Sequence, residues 1–256
     1  MKTSGNTILI TGGGSGIGAA LAERFHAQGN RVIVAGRRQE ALDTVVAGRE
    51  GMFAMTLDVE SAQGIEDFAR RALAEHPSLN VVINNAGIMR YEALDARRDL
   101  GDAEATITTN LLGPIRLTNA LIDHLVARGD ATIVNVSSGL AFVPIALAPT
   151  YSATKAAIHS YTVALRDALQ GKVEVIELAP PAVQTGLTPG QESRPGYQPL
   201  DAFIDEVMAL FGQGPTPAEI LVERVKPLRF AEREGRFDAA VTQMGEMVRK
   251  ARAAQE

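Results

Sequence analysis

Thr11-Gly12-Gly13-Gly14-Ser15-Gly16-Ile17-Gly18 puts five glycines into the seven residues after Thr11, directly behind the apolar run Thr7–Thr11. A helical pattern follows at once: Ile17, Leu21 and Phe25 fall on one stripe, Glu23 and Arg24 lie off it, and Gly29 marks the stop. Glycine permits a tight turn, lets backbone N–H groups approach an anion, and lets the helix pack close on the strand. The helix N-terminus adds favourable partial charge. The competing reading is a flexible turn with no ligand. No Gly-Lys-Ser/Thr follows, which argues against a nucleoside triphosphate site. The turn is therefore read as the pyrophosphate cradle of a dinucleotide site, built from Gly12, Gly14, Ser15, Gly16, Ile17 and Gly18.

Working outward, the same strand-then-helix theme repeats to about residue 180. Short, nearly continuous apolar runs occupy Thr7–Thr11, Arg31–Ala35, Gly51–Leu57, Leu79–Asn84, Thr132–Ser137 and Lys172–Leu178. Continuous rather than alternating runs belong to strands buried on both faces of a parallel sheet. Helical segments lie between them at Gln39–Val46, Ser61–Glu75, Asp102–Arg128 and Tyr151–Gln170. This alternation predicts a doubly wound α/β sheet with right-handed crossovers. No linker divides the 256 residues, so one domain is expected: a cofactor-binding and catalytic core over 1–186, a covering segment over 187–214, and a C-terminal helical segment over 215–256.

Composition removes several function classes. The chain is 46% apolar and carries a formal net charge of −5, so no basic field exists to hold nucleic acid or an anionic membrane. No apolar run has the length of a membrane helix, and Met1–Thr7 lacks the apolar stretch of a signal peptide. There is no cysteine, and the four histidines (His26, His76, His124, His159) are far apart in sequence, so no metal is expected. A cytoplasmic protein acting on a small molecule is the expectation.

The run Arg31–Ala35 should end beside an adenosine ribose. A carboxylate there would bind the 2′-hydroxyl of NAD, and a cation the 2′-phosphate of NADP. Gly36 is followed by Arg37-Arg38, and a guanidinium fork matches phosphate oxygens. This favours NADP over NAD, although both arginines could also be solvated helix-start residues. Asp58, with Val59 beside it, is placed to accept from the adenine amino group or to cap a helix.

Tyr151 and Lys155 are one helical turn apart on one face. A phenol exchanges protons poorly near neutrality, and an adjacent ammonium would stabilise its anion. Ser138 ends the fifth run at the sheet edge where such folds place ligands, and its hydroxyl could bond a carbonyl oxygen.

Together these motifs resemble the classical short-chain dehydrogenase/reductase family. The residues that carry the likeness are Thr11-Gly12…Gly16-Ile17-Gly18, Asn84-Asn85-Ala86-Gly87, Asn110, Ser137-Ser138 and Tyr151…Lys155, spread over roughly residues 5–185. The resemblance implies a Rossmann-type fold with a seven-stranded sheet and a nicotinamide cofactor. It implies Tyr151 as general acid/base, Lys155 on the ribose and lowering the tyrosine pKa, Ser138 orienting the substrate, and Asn110 supporting a proton relay. It also implies that Asn85, Ala86 and Gly87 flank the adenosine half, and that Pro180, Val183 and Thr185 lie at the nicotinamide. A homodimer or homotetramer, with Asp102–Arg128 and Tyr151–Gln170 as the pairing helices, is implied as well.

Three departures stand out. Pro180-Pro181 occupies a position where the family has Pro-Gly, and Ser15 stands where NADP-preferring members often carry a cation. The Asp-Gly-Gly ending of a C-terminal strand is missing, and Pro217–Phe230 and Phe237–Ala253 read as helices. The activity expected is carbonyl reduction or alcohol oxidation. The alternatives are a nucleotide-sensing protein without turnover and an NAD-linked alcohol dehydrogenase. Residues 187–214, rich in Pro-Gly pairs and carrying the stripe Phe203, Val207, Leu210, Phe211, are expected to close as a lid.

Overall fold

The computed structural model describes residues 1–253. Seven parallel strands form one sheet: β1 (Thr7–Thr11), β2 (Arg31–Gly36), β3 (Met52–Thr56), β4 (Val81–Asn84), β5 (Thr132–Val136), β6 (Glu174–Leu178) and β7 (Glu219–Ile220). Their order is β3-β2-β1-β4-β5-β6-β7. Successive strand residues point to opposite faces, which sorts the apolar runs into two cores. Ile8, Ile10, Val32 and Val34 face α1 (Gly16–Ala27), α2 (Gln39–Val46) and α7 (Leu200–Phe211). Leu9, Ile33 and Ala35 face α3 (Ala62–Glu75), α5 (Gly113–Arg128) and the end of α6 (Pro149–Ala168). The strand order reverses between β1 and β4, which opens a crevice beyond their carboxyl ends.

The segment read as one helix over Asp102–Arg128 is broken. It forms α4 (Gly101–Ile107), a π turn over Thr108–Leu112, and α5. An α pattern continues on both sides of the π turn, so apolar spacing alone does not reveal it. α4 and the π turn pack on α6, whereas α5 packs on α3.

The C-terminal segment also corrects the sequence reading. Pro217–Phe230 is not a helix: Glu219 and Ile220 pair in parallel with Glu177 and Leu178 of β6, and only Lys226–Arg229 (α8) is helical. The seventh strand is thus present without its family ending, held by a fully buried Ile220. Phe237–Ala253 forms α9.

The proposed lid is divided as well. α7 buries Phe203, Ile204, Val207 and Phe211 in the main core, with the Phe211 ring 5.5 Å from that of Phe25 on α1. Phe203 and Phe211 do face inward, but toward α1 and the sheet rather than toward the crevice. A stripe buried this fully is a fixed core element, so any closing segment lies before Leu200.

Candidate active site and dinucleotide cleft

A cavity of about 310 Å³ occupies the crevice at the strand-order reversal. Gly12, Gly14, Ser15, Arg37, Arg38, Val59, Ala86 and Gly87 line it, as the sequence led one to expect. Gly12 adopts a left-handed backbone (φ +66), and a Cβ there would lie 2.9 Å from the Ala86 Cα. Gly18 is required for a different reason: its Cβ would lie 2.4 Å from the Gly12 carbonyl oxygen, so any side chain would push α1 off β1. These glycines make a narrow backbone cradle at the start of α1, and a dinucleotide pyrophosphate suits that chemistry.

The other expected nucleotide residues support this cradle or border it. Asn85 Nδ2 donates to the Thr11 carbonyl at 2.9 Å, while Thr11 Oγ1 accepts from the Asn85 and Ala86 amides at 3.0 Å each. Gly16 and Ile17 begin α1, and Thr185 Cβ would stand 3.5 Å from a Cβ on Gly16. Val183 bridges Gln198, and Pro180 accepts the Gly139 amide at 2.8 Å. Asp58 lies outside the cavity wall, exposed, with Oδ1 accepting the Glu60 amide at 3.0 Å. Neither of the sequence readings for Asp58 describes that turn, and the cap of α3 is Ser61, which accepts from Gly64 at 2.9 Å.

Among the cavity residues the sequence did not single out, one is charged. Glu60 lines the same wall as Arg37, lies 3.4 Å from its guanidinium, and accepts from Thr109 Oγ1 at 2.9 Å. A carboxylate therefore does stand at this site, supplied by the turn after β3 rather than by the end of β2. The available signal was an acidic residue in the turn after β3, but nothing in the sequence aims its side chain inward.

The second cluster adjoins the inner end of this cavity. Gly87 marks the junction, since a Cβ there would be 3.3 Å from Asn110 Oδ1 and 3.7 Å from Lys155 Nζ. Tyr151 and Ser138 are both buried, and the Ser138 hydroxyl lies close enough to favour the phenol's anion. Ser138 Oγ also accepts the Leu140 amide at 3.1 Å. Lys155 Nζ donates to the Val136 carbonyl at 2.8 Å and stands 5.6 Å from the centre of the Tyr151 ring. Asn110 sits in the π turn, where it bonds both backbone groups of Ile88: Nδ2 donates at 2.8 Å and Oδ1 accepts at 2.9 Å. π turns recur at functional positions because they re-aim one side chain without ending a helix.

Burial sets the electrostatics here. It pushes the Tyr151 phenol up to about 12, opposed only by the Ser138 hydroxyl. It pushes Lys155 down to about 8, opposed by the charge of Glu177. The lowered tyrosine expected from the lysine neighbour is thus absent in the protein alone, where loss of water dominates the shift.

Two more residues of the site lie beyond sequence reasoning. Glu92 caps α6 from a loop: its carboxylate accepts from the Thr150 amide at 3.0 Å, from Thr150 Oγ1 at 2.8 Å and from Arg98 at 2.6 Å. Met244 of α9 packs with Met89, Leu140 and Leu147 against the group Ile145, Ala148 and Tyr151. Nothing in the sequence places Met244 beside Tyr151.

The sequence model of the short chain dehydrogenases matches residues 6–195, which takes in both clusters. The chain belongs to that family. Among curated proteins it is 38% identical to "uncharacterized oxidoreductase DltE" of Bacillus subtilis, over 95% of this chain and 98% of that protein. It is 32% identical to the NADPH-dependent 1-acyldihydroxyacetone phosphate reductase of Schizosaccharomyces pombe, over 93% of this chain and 77% of that one. A short chain dehydrogenase from Burkholderia cenocepacia, solved in complex with NADP, superposes with a TM-score of 0.80 at 25% identity, covering 95% of this chain and 99% of that one. Short chain dehydrogenases are oxidoreductases, and the sheet order described above is that of a Rossmann-type domain. No helix among the described residues is long and apolar enough to cross a membrane.

Proposed function

We propose that the protein is an NADP(H)-dependent oxidoreductase that interconverts a carbonyl compound and its alcohol. The observation that carries this reading is the hydroxyl pair of Tyr151 and Ser138, beside Lys155, at the inner end of a glycine-built dinucleotide cleft. Bound NADPH would supply the hydride; the backbone of Gly12–Gly18 and the guanidiniums of Arg37 and Arg38 would hold it.

This chain's residues then handle the substrate oxygen. Ser138 donates a hydrogen bond to the carbonyl oxygen and fixes its direction. Tyr151, high in pKa and therefore protonated at neutral pH, delivers the proton as charge develops on that oxygen. Lys155 is largely protonated at pH 7 and offsets the phenolate that results. In the oxidative direction the same groups run in reverse. Asn110 braces Ile88 and so fixes the wall beside Gly87. Met89, Leu140, Leu147 and Met244 give the substrate side an apolar wall, which suits a weakly polar carbonyl compound. The segment 183–199, which touches Tyr91 through Thr188 at 3.2 Å, is the part able to close over it.

Arg37 supports the 2′-phosphate, since its guanidinium is over half exposed and held only at 3.4 Å by Glu60. Glu60 favours a second reading, use of NAD, because its carboxylate could accept from a 2′-hydroxyl. The test is nucleotide oxidation with NADPH and NADH across aliphatic and aromatic ketones and aldehydes. Turnover with NADPH that Tyr151→Phe abolishes is expected. Nucleotide binding without turnover on any carbonyl would favour a sensing protein, and preference for NADH would favour the second reading.

A further inference from the structure

Behind the reacting hydroxyls lies a buried polar triad that the chemistry above does not use. Glu177, on β6, is wholly buried. Ser137, next to Ser138, donates to its Oε1 at 2.5 Å. His159, one turn beyond Lys155 on α6, places Nδ1 2.7 Å from its Oε2. One carboxylate thereby ties the end of β5, the end of β6 and the catalytic helix together.

The surroundings leave this carboxylate little other employment. His159 is faced by Glu177 from β6, by Glu219 from β7, by Arg229 from α8, and by the Phe142 ring at 5.0 Å. Glu219 offers a donor atom close enough to join a cation site with His159 and Glu177, but it is paired with Arg229 at 3.0 Å. Glu177 has both oxygens engaged, one by each partner. Lys155, one turn before His159 on α6, is buried and donates to a single acceptor, the neutral carbonyl of Val136, which is paired in the sheet with Leu178, the neighbour of Glu177.

We propose that Glu177, clamped by Ser137 and His159, is a positioning residue that acts as the fixed counter-charge of Lys155. It keeps that lysine cationic in a water-poor site and so sets the pH range over which Tyr151 can exchange its proton. A cation stripped of water needs an anion nearby to remain charged, and a buried anion needs donors on both oxygens. The triad supplies both conditions. The charge of Glu177 is also what opposes burial at Lys155. His159 tunes the field: protonated, it offsets the carboxylate; neutral, it leaves the full negative charge facing Lys155. Its own pKa is raised by the Glu177 bond, against burial and Arg229.

This role rests on the acid/base reading of Tyr151 and Lys155, so its test reads the lysine directly. The chain has five lysines, Lys2, Lys155, Lys172, Lys226 and Lys250, few enough to resolve by NMR of protein labelled with 13C at lysine Cε. The Lys155 signal is the one lost in Lys155→Arg. Glu177→Gln, which keeps the shape and removes the charge, is expected to lower the Lys155 pKa by about one unit. The alkaline limb of kcat for carbonyl reduction should move down by the same amount, with KM for the nucleotide unchanged. Glu177→Asp should restore most of both. Glu177→Met, the second variant if Glu177→Gln does not fold, removes the same charge and should lower the Lys155 pKa as well.

A folded Glu177→Gln or Glu177→Met whose Lys155 titrates as in the wild type overturns the proposal. So does loss of activity with an unmoved pH profile, which is the mark of a structural role. A wild-type protein without turnover would instead defeat the proposed function and leave the lysine titration readable.

Discussion

Burial drives the Tyr151 phenol up and the Lys155 ammonium down, because each would lose water in its charged form, and the hydroxyl of Ser138 and the charge of Glu177 push back only in part. Removing the phenolic oxygen alone should isolate its contribution. Tyr151→Phe is expected to lower kcat by roughly 10²–10⁴-fold while nucleotide affinity, read by fluorescence titration, stays near wild type. An unchanged kcat would remove Tyr151 from the chemistry. At the ribose end, Arg37→Asp should weaken NADPH at least tenfold and leave NADH unaffected or improved, as a charge-assisted contact becomes repulsion. Equal shifts for both nucleotides would mean that Arg37 does not read the phosphate. Tyr151, Lys155, Ser138 and Arg37 were legible because their spacing and order carry chemistry. Glu60 and Glu92 were not, since only the folded chain turns their carboxylates toward Arg37 and Thr150.

At the scale of elements, the catalytic helix begins on a borrowed cap. α6 starts at Pro149 with no cap of its own, and Glu92 reaches in from the loop after β4 to take the Thr150 amide, one residue before Tyr151. Burial works to raise the Glu92 carboxyl, but the bonds from Thr150 and Arg98 together outweigh it and hold it below the ordinary carboxylate value. Its stabilisation is therefore present above that ordinary value and is lost as pH falls through the lowered one. Glu92→Ala should cost about 0.5–2 kcal/mol in urea unfolding at pH 7, with the gap closing in acid. A gap independent of pH would mean that packing, not charge, does the capping. Phe211→Ala on α7 should cost about 3–5 kcal/mol, since its ring fills the core against Phe25; a near-neutral effect would return α7 to the lid. The strands β1 to β6 were legible as apolar runs. β7 was not: two residues make no run, and only the pairing of Ile220 with Leu178 defines them.

For the whole molecule, length and the absence of a linker were enough to indicate one domain, and the observed sheet agrees. Its surface keeps apolar side chains exposed on the α4 and α6 side, among them Ile107 at 41% and Val163 at 47%. Large apolar side chains left in water on adjacent helices favour a symmetric partner, and two-fold dimers are the commonest assemblies. Light scattering at micromolar concentration is expected to give at least twice 27.2 kDa, and Val163→Glu to reduce it to that value. A wild-type monomer would reject the pairing. The family resemblance implied pairing through Asp102–Arg128 and Tyr151–Gln170; of the apolar residues there, Leu117, Leu121 and Ile158 are buried inside the subunit, and Val163 is not. Periodicity cannot separate a stripe that faces the sheet from one that faces a neighbour.

The turn over Thr108–Leu112 makes this gene vulnerable in an unusual way. A π turn holds about one residue more than an α turn, and each helical residue advances about 100°. Loss of a single in-frame codon between 108 and 112 would let α4 and α5 run together as one regular helix. Charge, apolar content and both flanking helices would survive, and the protein would still be made. Asn110 would be swung away from the Ile88 backbone that it bonds twice, and the wall beside Gly87 would lose its brace. A three-nucleotide deletion here should therefore behave as a null allele of activity rather than of expression.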